Sequence, residues 1–178
     1  MRELLTIALR NFPVTSLALG LLAAMISIGR RPAAGRDPWE EILAFFLLFG
    51  VGFGFLYSGV MHIFFGPMVA RFIGWADSPF QAEVGCASLG FGVVGILSFR
   101  GSFGLRLAAV VGPAAFALGA AGVHVGQMIT AGNFTPGNAG VAFAADLVGP
   151  ALGFILLWLR YRTTGRRGGI RGHGAAAQ

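Results

Sequence analysis

Long apolar runs alternate with short polar breaks along almost the whole chain. The runs fall at about 12–29, 42–65, 80–99, 107–129 and 141–159. Each approaches the roughly 20 residues that cross a bilayer core about 30 Å thick. The pattern predicts an all-α integral membrane bundle of five transmembrane helices, a four-helix bundle with an extra N-terminal helix. Residues 1–160 then form one transmembrane domain, and the polar, Gly- and Arg-rich stretch 161–178 reads as a disordered tail.

The breaks carry start and stop signals. Asp37-Pro38, followed by Glu40 and Glu41, reads as the start of the second helix, and Gly66-Pro67 as its end. Asp77-Ser78-Pro79 reads as a turn and N-cap, with Gln81 completing a capping box to Ser78. Glu83 then falls about one turn inside the third helix. Asn133, Pro136, Gly137 and Asn138 mark a turn-rich loop before the fifth. The first run is too long for a signal-peptide core and lacks a clean cleavage pattern, so it reads as a span.

Composition supports the pattern. Hydrophobic residues make up 56% of the chain and charged ones 11%, too little charge to cover a soluble domain. The net charge of +6 comes entirely from arginine on the basic side. In such a chain the basic excess reports topology rather than nucleic-acid binding. With five spans, ten of the thirteen arginines fall on one side, that of Arg30, Arg100 and Arg160. The positive-inside rule makes that side, and the C-terminus, cytoplasmic. Arg2 and Arg10 oppose this weakly, and a re-entrant first segment would reconcile them. One cysteine, Cys86, excludes an internal disulfide. The pairs Gly50/Gly54, Gly122/Gly126 and Gly149/Gly153 have GxxxG spacing, which suits close packing within the chain and offers faces for a homo-oligomer.

Four successive helices carry a titratable group toward the same leaflet: His62, Glu83, His124 and Asp146. Ionisable groups at membrane depth are costly and normally face the bundle interior and one another. Ser58 shares a helical face with His62, and Gln127 shares one with His124 as a supporting residue. Arg71 and Trp75, in the break 66–83, would flank the entrance. Two imidazoles and two carboxylates suffice to ligate a zinc, iron or copper ion, with Cys86 as a soft addition. The same groups suit a proton relay, or a polar grip on a quinone-like molecule. No tight ligand pair such as HxxxH occurs. Against all of these stands the plain reading that the residues pair across helices to fix packing.

The segment Gly74-Trp75-Ala76-Asp77-Ser78-Pro79-Phe80-Gln81-Ala82-Glu83, followed by Ala87-Ser88-Leu89-Gly90-Phe91-Gly92, resembles a motif of small bacterial multi-pass membrane proteins known only as a domain of unknown function. The resemblance covers about helices two to five and implies a bacterial inner-membrane location with no established activity. More loosely, the chain is similar to DoxX-like four-helix membrane proteins, linked to quinone or thiol redox chemistry, though it carries no diagnostic motif of theirs. The functional expectation is a polar His/carboxylate site binding a metal or a quinone-like molecule. The alternatives are a non-catalytic scaffold or accessory subunit, and a small transporter or proton pathway. A transporter is disfavoured by the lack of a visible internal repeat.

Overall fold

In the computed structural model, residues 2–30 and 37–175 are described, with side chains described for 3–30 and 37–163. Helix α1 spans Arg2–Arg10, α2 Phe12–Gly29, α3 Pro38–Phe64, α4 Gly66–Ile73, α5 Phe80–Leu97, α6 Phe103–Ala131, α7 Pro136–Ala139 and α8 Val141–Ala175. Five of these are long and apolar enough to cross a membrane: α2, α3, α5, α6 and the stretch Pro136–Thr163. No strand occurs among the described residues. The spans sit where the hydropathy pattern expects them. The tail expected from 161 onward falls mostly on residues whose side chains lie outside the described set, and 176–178 lie outside it altogether. Arg31 and Arg36 also lie outside it.

Helix α3 is central, with α2, α5 and α8 packed along it, and α6 pairs most closely with α8. Its middle, Phe46–Phe53, winds as a wider π-helix, a form that often marks functional sites. There the Ser16 hydroxyl of α2 donates to the Phe49 carbonyl.

The closest packing is between α3 and α5. A Cβ on Gly95 would lie 2.6 Å from the Gly52 nitrogen, and one on Gly59 would lie 3.0 Å from the Gly85 carbonyl. A Cβ on Gly92 would meet the Leu56 nitrogen at 2.8 Å. Backbones therefore touch along a ladder of glycines spaced seven or three apart, rather than through the GxxxG pairs. At Gly122, Gly126 and Gly149 an added Cβ would meet nothing within 4 Å. Gly50 and Gly153 do pack, against Leu17 and Val110 respectively.

One end of the bundle is held by charge. Asp37 caps α3 by accepting from the Trp39 amide at 3.1 Å. Arg100 grips buried Glu41 with two hydrogen bonds of 3.1 Å, and Ser27 donates to the same carboxylate at 2.8 Å. Arg106 lies 2.8 Å from Glu40, which Arg160 also contacts. Arginines that the charge count assigns to one side of the membrane thus also tie α3, α6 and α8 together. Above this end lies the apolar core, Leu43, Leu47 and Val51 with Ala109, Val110, Leu156 and Leu157. Glu41→Gln removes the charge of a buried carboxylate, whose partner Arg100 is about half exposed, while keeping size. It should lower stability by about 1–2 kcal/mol, read as the thermal midpoint in detergent. Glu3→Gln, on an exposed residue, should leave it unchanged.

Candidate functional site

Beyond the core, toward the opposite end, the helices part around an open cavity of about 770 Å³. Its walls come from α2, α3, α5, α6 and α8. Its depth is apolar, reaching Phe46, Gly50, Val110, Pro113 and Pro150. Both prolines stand inside helices, where each removes a backbone donor and weakens the ladder one turn earlier. For Pro150 the affected carbonyl is that of Asp146. The polar lining gathers at the other end of the cavity: Ser58 and His62 from α3, Trp75 and Ser78 from the break, Gln81 from α5, His124 from α6 and Asp146 from α8.

The break is folded by its own polar residues. Gly74 ends α4 in a left-handed conformation, φ +78°, and a Cβ there would lie 2.8 Å from Thr135 Cγ2. Only glycine fits both constraints. The chain then turns, and Trp75 enters the cavity wall. Asn133 Nδ2 and Thr135 Oγ1 donate to the Ile73 carbonyl at 2.9 and 2.6 Å, binding the break to the loop before α8.

At the centre of that clamp is Asn138, fully buried. Its Nδ2 donates to the carbonyls of Asn133, at 2.8 Å, and His124, at 3.2 Å. Those two acceptors fix the orientation of the amide, so Oδ1 faces two donors. These are Trp75 Nε1 at 3.1 Å and His124 Nδ1 at 2.8 Å. The imidazole of His124, buried beside the Trp75 ring at a centroid distance of 5.2 Å, therefore holds its proton on Nδ1. Its Nε2 faces Asp146 Oδ2 at 3.8 Å. Across the cavity wall, His62 Nδ1 meets Gln81 Oε1 at 2.7 Å.

His62, His124, Asp146 and Trp75 are thus brought to one cavity, while four other sequence candidates are not. Glu83 is exposed and does not line the cavity. The glycine ladder decides this by turning Gln81, Gly85, Ser88, Gly92 and Gly95 inward. A residue two positions from Gln81 then points about 200° away. Cys86 is exposed for the same reason. Gln127 is half-buried outside the cavity, and Arg71 is exposed on α4. Among the described residues no three His, Cys, Asp or Glu side chains gather into a metal-binding group, so the four-ligand set expected from sequence is not assembled. The capping box is not formed either. Helix α5 starts after Pro79 with no side-chain cap, and Gln81 spends its amide on His62 instead. Asn138, which reads from sequence as an ordinary turn residue, is the hub of the site. Its place before a helix start was the only available signal, and turns share it widely.

Fold and site together define a helical membrane-type bundle with a deep apolar cavity closed at one end by a small polar cluster. Residues 10–166 match DUF6790, a family of unknown function, and the chain belongs to that family. No curated protein and no solved structure matches it.

Proposed function

We propose that the protein is a membrane-embedded binding protein for an amphiphilic small molecule, quinone-like in shape, with an apolar body and a small polar end. One observation carries this reading: a cavity of about 770 Å³ whose polar residues all gather at one end. That volume lies within the range typical of small-molecule sites, which combine apolar walls with a few placed polar groups. The ligand's body would lie against Phe46, Val110 and Pro113, with its polar end among His62, His124 and Asp146. The arginine count supports an orientation with the arginine-rich end cytoplasmic and the cavity's polar end in the outer leaflet; a bacterial inner membrane is what the resemblance of the 74–92 segment implies.

Gly149 lines the cavity and has open space where a side chain would project. Gly149→Phe should therefore fill the cavity without disturbing packing. Purified in mild detergent, the wild type should retain an apolar small molecule in near-stoichiometric amount by mass spectrometry of the extract. The variant should lose it at an unchanged melting temperature. Identical extracts from the two proteins would sink the proposal.

A second reading has its own support. His62 and His124 both satisfy a ring nitrogen on an amide of the same chain, as purely structural pairs across helices do. If packing is their whole role, His62→Phe lowers the melting temperature and leaves the extract unchanged.

A further inference from the structure

The binding reading leaves the chemistry of the ligand's polar end open, and the His124–Asp146 pair narrows it. This step rests on that reading. Because Asn138 Oδ1 holds the Nδ1 proton, only Nε2 of His124 is available to a ligand. It lies 3.8 Å from Asp146 Oδ2, too far for a direct hydrogen bond. One oxygen atom at ordinary hydrogen-bond distance from both fits between them.

The proton count follows from solvation. Among the described residues no arginine lines the cavity. A carboxylate beside a neutral imidazole, or an imidazolium beside a carboxylic acid, would therefore leave an unbalanced charge at membrane depth. That is the costly state. The pair is neutral overall when it carries one proton besides the one on Nδ1. If that proton is on Asp146, the carboxyl donates and Nε2 accepts. If it is on Nε2, the imidazolium donates and the carboxylate accepts. Either way the gap presents one donor and one acceptor.

We infer that this gap is a hydroxyl slot, and that the ligand's polar end is an alcohol or phenol rather than a carbonyl or ether. A hydroxyl offers one donor and at least one acceptor, matching the slot in both proton placements. A carbonyl or ether only accepts, and would strand one buried acceptor of the pair. No proton needs to leave the site for this recognition.

The test uses 4-nonylphenol and its methyl ether, 4-nonylanisole, which differ by the hydroxyl proton. Both are titrated into the full chain in nanodiscs, with Trp39→Phe and Trp158→Phe leaving Trp75 as the reporter, and empty nanodiscs correcting for partition. The phenol should bind about tenfold tighter than the ether, the effect of one buried unpaired acceptor. Asp146→Leu leaves Nε2 as an acceptor for the phenol proton, so the ratio should come close to one only in His124→Phe/Asp146→Leu, which removes both partners. Asp146→Asn, which still offers a donor and an acceptor, should keep most of it. Equal binding in the wild type, or a ratio that survives His124→Phe/Asp146→Leu in folded protein, overturns the hydroxyl slot while the cavity reading stands. If neither compound changes Trp75 emission in folded protein, both ideas fall together.

Discussion

Asn138→Leu should lower the stability of the protein by about 3 kcal/mol, the largest effect expected of any single side chain near the cavity. Asn138 is fully buried and serves Trp75, His124 and the Asn133 carbonyl at once. Leucine keeps the volume and strands all of these groups. A buried polar group left unpaired costs about 1–3 kcal/mol, and partial relaxation or water entry keeps the total near the upper part of that range. For a chain of this size that corresponds to roughly 10 °C in melting temperature. Trp75 emission should change in the same variant, since its indole loses its partner. Asn138→Asp keeps an acceptor for Trp75 and His124 but loses the donors to the two carbonyls, so it should fall between. A melting temperature within a degree of wild type for Asn138→Leu would show that the clamp does not hold the loops.

Gly95→Val should be as damaging for a different reason. The obstacle is backbone, the Gly52 nitrogen at 2.6 Å and Cα at 2.8 Å, and backbone cannot rotate aside as a side chain does. Helices α3 and α5 would have to separate along the whole ladder. Overpacking of this kind costs about 3 kcal/mol or more. Gly122→Val and Gly126→Val change glycines of the same type on α6, where nothing lies within reach. They should be neutral, because the entropy saved by losing a helical glycine offsets the branched side chain's weaker helix preference. Comparing yield and melting temperature of the three variants separates packing glycines from GxxxG spacing. Equal tolerance at all three positions would remove the ladder as the organising contact.

The sequence by itself determined the class of protein. Five apolar runs, their polar breaks and the uneven arginines are one-dimensional facts, and hydropathy in a bilayer acts in one dimension, along the membrane normal. Depth was therefore legible: His62, His124 and Asp146 do reach one end of the bundle, and Trp75 does join them. Rotation about each helix was not. A helix apolar all round has no strong preferred face, so the direction of Glu83 or Gln81 depends on which backbones approach closest. The glycine ladder settles that, and it places Gln81 inside and Glu83 outside. Loop geometry was equally hidden. Asn138 becomes a hub only because Gly74, Asn133 and Thr135 bring two breaks, far apart in sequence, into hydrogen-bond contact. The tertiary structure alone decided the composition of the site, because hydrogen bonds and close packing act across helices over a few ångströms, a range that no pattern along one chain direction encodes.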